Sequence, residues 1–446
     1  MRGNFITPLQ AFWQDLKDSF WLLPAAIALV GPILAVALIK FDRAVGQIDI
    51  SFLFGESPSS AHYILMTIAG SLITVAGLTF SVTVVTLQLV STQFTPRVLR
   101  GFLSDRVTQI TAGGLVGIFG YCLLVLTAVQ SAPETGTNFV PAVSLTVAIA
   151  LAFVGLALLL LFIHHIAQSI QVSNIAARIE RDASQAGQRR YPGAAGTPLL
   201  ANPTRLLRTW HSTAPPALVY ATGSGYVNSV GLADLMRAID RPDLRLHLRV
   251  APGDFVTPAT VLAAFWPATA TDEATARAFR RAFTITQQRD VAQDVGYGIR
   301  VLADIALRAL SPGINDPTTA LTCFGYLRAI LEPLAARKEP ASVQAFADGR
   351  VTAVLRHRHF ADYLDPVREL GRYATDNARV AGALLDLLAQ LVEATDDARR
   401  VAALVGTADA VAGPAIRAAA TRHDRAYLRA RHTRVRRLAR TTARRL

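Results

Sequence analysis

The chain has 446 residues, of which 52% are hydrophobic, and its mean hydropathy is +0.34. This apolar share is too high for a wholly soluble protein, so part of the chain is expected to lie in lipid. The net charge of +13 is concentrated at one end, because residues 417–446 hold 11 Arg against the single Asp424.

Four long charge-free runs occupy the first 170 residues, and each is long enough to cross a hydrocarbon core of about 30 Å as a helix. They predict a transmembrane domain over residues 1–170, with spans at about 20–39, 62–93, 108–131 and 140–163. Asp15 and Asp18 lie directly before or at the start of the first run, and Pro24 and Pro32 interrupt it, so we interpret it as a retained anchor and not as a signal peptide.

The orientation of these spans follows from their basic flanks. Arg97 and Arg100 lie between the second and third spans, and the positive-inside rule places that segment in the cytoplasm. With four spans, both termini of this multi-pass protein are then expected to be cytoplasmic.

The second span contains no charge from Ala61 to Pro96, a length of about 54 Å as a helix. Hydroxyl and amide side chains recur along it at helical spacing and predict one polar stripe, made of Thr67, Ser71, Thr74, Ser81, Gln88 and Thr92. Such a stripe either joins packed helices or lines a pore. Both interpretations remain open at this point. In a pore, Arg97 and Arg100 would lie at the inner mouth and favour anions there.

The third and fourth spans carry two further signals. Gly113, Gly117 and Gly120 form a small-xxx-small pattern, which predicts close contact with a neighbouring helix. The fourth span reaches the interface at His164 and His165. A polar cap on a helix end explains these two residues better than a metal site or a proton relay does.

The remaining chain is expected to be a cytoplasmic α+β region. A polar helix and linker cover residues 171–210, and a small β module follows over 211–270, where Leu244, Leu246 and Leu248 alternate with polar residues as in a strand. The module looks like a small β-barrel or sandwich of the biotin- or lipoate-carrying kind. It has no lysine to be modified, so a docking or structural role is expected.

Residues 271–415 show a helical pattern and predict a helical module, and residues 416–446 predict a basic amphipathic tail. The predicted fold class is therefore a four-helix transmembrane domain followed by a small β-barrel or sandwich and a helical module. Anionic lipid is the first partner expected for the tail, and nucleic acid is the second. The alternative to both partners is a helix that is simply solvated.

The helical pattern is interrupted by a turn at Pro312, Gly313, Asn315, Asp316 and Pro317. Pro312 and Gly313 end a helix that is expected to run from about Gln287 to Leu310, while Asp316 suits the N-cap and Pro317 the first position of the next. The alternative is that Asn315, Asp316 and free amides recognise a cation, a nucleotide or a neighbouring subunit.

Common catalytic motifs are absent from the sequence, including the Walker loop, H-E-x-x-H, C-x-x-C and G-x-S-x-G. We therefore expect no catalytic residues, no cofactor and no metal. His357 and His359 form the densest histidine pair, but on a helix residues at i and i+2 point apart, so metal binding is not expected there.

Two segments resemble the bacterial membrane-protein family catalogued as domain of unknown function 2254. They are "QDVGYGIRVLADIALRALSPGINDPTTA", Gln293–Ala320, and "GSLITVAGLTFSVTVVTLQLVSTQFTPRVLRGFLSDR", Gly70–Arg106. "FADYLDPVRELGRYATDNARVAGALLDLL" is also similar to that family. The resemblance implies an integral protein of the bacterial inner membrane with a cytoplasmic domain, and it carries no established activity.

These observations favour a homo-oligomeric channel or channel-like transporter with a cytoplasmic gating or vestibule domain. The charge-free spans argue against a proton-coupled transporter that uses buried carboxylates. The alternative is a non-conducting membrane-anchored scaffold or sensor that binds a cytoplasmic partner.

Overall fold

The computed structural model describes residues 22–45, 57–93, 105–129, 139–190, 197–198, 201–231, 244–268, 273–291, 294–346 and 351–445. The chain divides into two compact units, Met1–Gln171 and Val172–Leu446, which we call the membrane unit and the second unit. The division lies one residue after the end of the expected transmembrane domain. Arg97 and Arg100 fall outside the described residues.

The membrane unit contains four long apolar helices. They are α1, Leu22–Val45; α2, Pro58–Gln93; α3, Arg106–Ala128; and α4, Ala142–Ser169. The charge-free sequence of α2 gives one unbroken helix of 36 residues. Leu65, Leu115, Tyr121 and Leu145 are buried together and form the core between α2, α3 and α4.

The second unit contains nine further α-helices among the described residues. They are α5, Val172–Arg190; α6, Pro203–Thr213; α7, Glu273–Arg281; α8, Val295–Ala309; α9, Pro317–Ala336; α10, Asp365–Tyr373; α11, Ala378–Glu393; α12, Ala398–Ala418; and α13, Arg422–Ala443. A 3-10 helix, Phe360–Leu364, precedes α10. Asp316, Asn377 and Asp397 each cap a helix with a side-chain oxygen that accepts from a backbone N–H.

The strands of the second unit form two sheets. They are β1, Thr197–Pro198; β2, Ala217–Tyr220; β3, Gly225–Val230; β4, Leu244–Leu248; β5, Phe255–Val256; β6, Val261–Trp266; β7, Phe283–Thr286; β8, Val343–Phe346; and β9, Val351–Val354. The six-stranded sheet has the order β1-β8-β9-β4-β6-β2, and the three-stranded sheet has the order β5-β3-β7. The sheets share one core that includes Val227, Leu246 and Phe265.

The structure corrects two expectations about the region after residue 271. That region is not helical throughout, because β7, β8 and β9 lie within it. β9 pairs with β4 in parallel although about 100 residues separate them. Helix α8 also begins at Val295 and not near Gln287, because residues 283–286 form β7 and Asp294 is the N-cap of α8.

Five helices among the described residues are long and apolar enough to cross a membrane. Four are the helices of the membrane unit, and the fifth is α12 of the second unit, which is the least hydrophobic of the five. The chain is thus a mostly helical membrane protein with a small sheet region.

Candidate functional site

The polar stripe of α2 lies on the side of the helix that the membrane unit leaves uncovered. All six side chains are exposed, and they are Thr67, Ser71, Thr74, Ser81, Gln88 and Thr92. Gly70 and Gly77 lie on the same face, and a Cβ atom added to either would meet nothing within 4 Å. The six side chains and two glycines are called the hydroxyl face below.

The opposite side of α2 packs inside the membrane unit. Leu65, Ala69 and Leu72 are buried there in a cluster with Leu115 of α3 and Leu145 of α4. The hydroxyl face therefore does not join α2 to the other described helices of its own chain.

The hydroxyl groups of this face bond to the backbone of α2 itself. The hydroxyl of Thr67 donates to the carbonyl oxygen of Tyr63 at 2.7 Å, and that of Ser71 donates to the carbonyl oxygen of Thr67 at 2.7 Å. Thr74 donates to Gly70 in the same way at 2.9 Å. Because each hydroxyl proton is already donated, these groups offer oxygen lone pairs to whatever faces them.

Large apolar side chains occupy the neighbouring sector of α2. Met66, Ile73, Phe80 and Val84 are exposed there. Their positions repeat at intervals of seven, seven and four residues, so they form a second line along the helix. Leu78 and Val85 are exposed among the hydroxyl side chains, so the exposed surface of α2 has one mixed sector of hydroxyls, glycines and apolar residues beside one apolar sector.

The glycines of α3 contact the backbone and prolines of α1. A Cβ atom on Gly113 would lie 2.6 Å from the carbonyl oxygen of Pro24, and one on Gly117 would lie 3.2 Å from that of Ile27. Gly120 faces the ring of Pro32. The predicted close contact is thus between α3 and α1, and Gly31 of α1 takes part although the sequence pattern in α3 did not include it.

A buried carboxylate joins α1 to α4. The Asp42 side chain is 6% exposed and accepts from the backbone N–H of Val143 at 3.1 Å and of Ser144 at 3.0 Å. The Ser144 hydroxyl also donates to it at 2.5 Å, and the Tyr121 hydroxyl donates to the Ser144 carbonyl oxygen at 2.8 Å. Asp42 thus caps α4 from a distant part of the sequence, a role that no local pattern reveals.

A second polar contact joins the end of α4 to the start of α3. The Nε2 atom of His165 lies 2.8 Å from the Asp105 carboxylate, which also accepts from the backbone N–H and the hydroxyl of Thr108 at the start of α3. His164 lies within hydrogen-bonding distance of Gln168 instead. His165 therefore joins the end of α4 to the cap of α3.

The turn between α8 and α9 is an exposed helix-stop and helix-start. Asn315 has a positive φ of 48°, and Asp316 accepts from the backbone N–H of Thr319 at 3.1 Å. Hydrogen bonds from Thr319 hold the pKa of Asp316 below its usual value. Pro317 occupies the first turn of α9, and Pro312 and Gly313 are exposed. These contacts account for the turn without a ligand.

The basic tail forms α13 and packs against α11 and α12. Leu428 and Val435 are fully buried on its apolar side. On its polar side, Arg431 pairs with Asp386 of α11 at 2.9 Å. The apolar side of the tail is therefore covered by its own chain, and its exposed surface is mainly basic.

The chain is similar to one protein family and to several individual proteins. The profile of a family described as predicted membrane protein (DUF2254) matches residues 17–390. One protein of Mycobacterium bovis and two from strains of Mycobacterium tuberculosis are each 31% identical to the chain over 401 residues. Each alignment covers 88% of this chain and 75% of the relative, and all three relatives are described as uncharacterised. No solved structure matches the chain.

Proposed function

We propose that this chain, which belongs to the DUF2254 family of predicted membrane proteins, forms a homo-oligomeric channel lined by the hydroxyl face of α2. The observation that carries the proposal is that this face places hydroxyl and amide side chains along a membrane-length helix, on the side turned away from its own bundle. The second unit would supply a cytoplasmic vestibule or gate.

The two exposed sectors of α2 suit two different surroundings. The line of Met66, Ile73 and Phe80 suits lipid, because large apolar side chains favour hydrocarbon. Gly70 and Gly77 give the hydroxyl face a low profile that suits the approach of a second helix. Copies of α2 around an axis would put the hydroxyls inward and the apolar line outward.

The length of α2 supports a pore with an extended inner mouth. Tyr63 is 73% exposed near the start of the helix, where an aromatic side chain suits the outer interface. About 20 residues from there cross the hydrocarbon core, so the helix leaves it near Val82. The remaining residues to Gln93 extend about 16 Å further. Thr67, Ser71, Thr74 and Ser81 would then line the membrane part, with Gln88 and Thr92 at the inner mouth.

We assign four spans, α1 to α4, to a bacterial inner membrane with both termini in the cytoplasm. Helix α12 is assigned to the cytoplasmic part, because Arg400 within it is 5% exposed and donates to the carbonyl oxygens of Leu334 and Ala335 at 3.1 and 2.7 Å. A guanidinium bonded in this way to another helix of the second unit suits a packed soluble core.

Anionic lipid is the partner proposed for α13. Its Arg side chains turned away from α11 and α12 include Arg425, Arg429, Arg437 and Arg440, all exposed. Each Arg near an anionic membrane surface contributes about 1 kcal/mol at most. Since Leu428 and Val435 are buried against the chain, this attraction would be electrostatic and would not require insertion.

The alternative is a non-conducting scaffold or sensor in which the hydroxyl faces of neighbouring copies pack together with no pore between them. The bonds of Thr67, Ser71 and Thr74 to their own backbone favour it, because satisfied hydroxyls are compatible with a dry contact. Both functions require oligomers, so conduction distinguishes them.

The test is ion flux through purified protein in liposomes under K⁺, Na⁺ and Cl⁻ gradients. The triple variant Thr74→Val, Ser81→Ala, Gln88→Leu removes polar groups from the hydroxyl face. Thr83→Val is the matched control, because the Thr83 hydroxyl donates to the Thr79 carbonyl oxygen at 2.8 Å on the other side of the same helix.

We expect flux from the wild type, unchanged flux from the control and altered flux from the triple variant with its oligomer intact. Absence of flux from folded, correctly oriented wild-type protein would contradict the channel. Loss of the oligomer in the triple variant, without wild-type flux, would favour the scaffold.

A further inference from the structure

Three side chains with metal-binding atoms meet in the second unit. Glu339 follows α9, and His357 and His359 lie between β9 and the 3-10 helix. One ligand atom from each side chain lies within 4.8 Å of the other two. The Nδ1 atom of His359 is 2.9 Å from the Glu339 carboxylate, and the rings of His357 and His359 have centroids 5.1 Å apart.

The backbone explains why the two imidazoles come together. Residues 355–359 are not helical, and His359 has extended backbone angles, φ −80° and ψ 158°. In extended chain, residues at i and i+2 point to the same side. The expectation that His357 and His359 point apart is therefore wrong, because it assumed a helix at this position.

Glu339 is held in place and ionised. One carboxylate oxygen accepts from the backbone N–H of Phe360 at 2.8 Å, and Arg400 lies 3.9 Å from that oxygen. The other oxygen faces His359. Burial raises the pKa of Glu339, but these bonds and charges outweigh it and leave the pKa below its usual value. The carboxylate is thus in the form that binds a metal ion.

We propose that Glu339, His357 and His359 bind one divalent transition-metal ion, with Zn²⁺ as the preferred ion. Two imidazoles and a carboxylate are an established donor set for Zn²⁺ with an open fourth position. Two nitrogen ligands of a tetrahedral Zn²⁺ lie about 3.3 Å apart, so the donor atoms must close by at most about 1.5 Å. Rotation of the exposed His359 and half-buried His357 side chains is sufficient for that movement.

The surroundings indicate what the fourth ligand would be. His357 and His359 line a cavity of about 350 Å³ together with His247, Arg249 and Arg356. The two Arg side chains make this cavity basic, which reduces the affinity for a bare cation and favours water, hydroxide or an anionic group as the fourth ligand. Metal binding would also join the end of α9 to the segment that leaves β9.

The test is calorimetric titration of Zn²⁺ into chelator-treated, full-length protein that carries no histidine tag, at about pH 7.5, where imidazoles are neutral. We expect one ion per chain with a Kd below about 10 μM. His357→Gln and His359→Gln should each weaken binding at least about tenfold. His432→Gln is the matched control, because His432 lies 2.5 Å from the Asp409 carboxylate and no third His, Cys, Asp or Glu among the described residues completes a metal-binding group there. Its binding should equal that of the wild type.

Two further measurements separate lost binding from lost folding. The melting temperature of each metal-free variant should match that of the wild type, and Zn²⁺ should raise it for the wild type and His432→Gln but not for His357→Gln. Equal binding by all variants, or no saturable binding up to about 1 mM Zn²⁺, would overturn the proposal.

Discussion

A Cβ atom on Gly31 would lie 1.8 Å from the carbonyl oxygen of Gly117, so the backbones of α1 and α3 touch where these two glycines face each other. Small residues allow this approach, and no side-chain rotation can relieve a clash with a backbone atom. The contact between the first and third spans therefore depends on the absence of a side chain at Gly31.

Gly31→Ala is expected to destabilise the membrane unit by at least about 1–3 kcal/mol, the usual cost of overpacking, because α1 must move away from α3. Thermal unfolding in detergent measures the loss. Gly114→Ala is the control within α3, since its Cβ would meet only the mobile end of Leu158, at 2.8 Å. Equal melting temperatures for the two variants would show that the helices are not in backbone contact.

Asp42→Ala is expected to lower the stability of the membrane unit by more than about 1–3 kcal/mol, because it leaves two N–H groups and the Ser144 hydroxyl at the start of α4 without their acceptor. Asp42→Asn keeps one acceptor oxygen and should cost less. Lys40→Gln, at an exposed position of α1, should have little effect. The order of the three melting temperatures checks this prediction, and a loss in Lys40→Gln equal to that in Asp42→Ala would contradict it.

The membrane helices could be predicted because hydropathy is a property of neighbouring residues. The absence of charge from residue 61 to 96 indicated a helix of unusual length, and α2 spans Pro58–Gln93. The role of Asp42 could not be predicted in this way, because its partners in α4 are about 100 residues away. A cap supplied from another helix leaves no pattern at either position.

The same limit applies to the second unit. The alternation at Leu244, Leu246 and Leu248 predicted β4. Strands β8 and β9 have four residues each, too few for a clear pattern, and they are strands because β9 pairs with β4 and β8 pairs with β9. The expectation that His357 and His359 point apart was wrong for a related reason. Residues at i and i+2, such as His357 and His359, point to different sides of a helix but to the same side of extended chain. The sequence pattern around them was assigned to a helix.

His247 makes the stability of the second unit dependent on pH. Burial first, and then nearby Arg249, His211 and Arg356, together lower the pKa of His247 to about 4. The folded state therefore holds a neutral imidazole, while the unfolded chain takes up a proton below about pH 6.5. This contribution to stability is present above pH 6.5 and is lost as the pH falls toward 4, by roughly 3 kcal/mol in total.

His247→Gln should flatten the dependence of the melting temperature on pH between about 7 and 4, because the titrating group is removed. The measurement is made with a chelator present, so that no metal in the nearby cavity contributes. His423→Gln, on the exposed start of α13, is the control and should keep the wild-type slope. An unchanged slope in His247→Gln would show that His247 is not buried as described.

Single cysteines on α2 provide a test of the channel that does not depend on knowing the permeant ion. Ser81 and Phe80 lie at the same depth but about 100° apart around the helix, one on the hydroxyl face and one in the apolar sector. The native Cys122 and Cys323 are both fully buried. Burial raises the pKa of Cys323 to about 12, so its thiol stays protonated and unreactive.

In a water-filled pore, Ser81→Cys should react with a charged, membrane-impermeant methanethiosulfonate at least about tenfold faster than Phe80→Cys, because a thiolate forms only where water reaches it. Thr74→Cys and Ile73→Cys form a second pair about two helical turns nearer the start of α2, and they should show the same difference in reaction rate. If hydroxyl faces instead pack together without a pore, both members of each pair react slowly. Equal, fast reaction at Thr74 and Ile73, which lie in the middle of the membrane part, would mean that water surrounds α2 at this depth, and the helix would not then be a pore wall held in lipid.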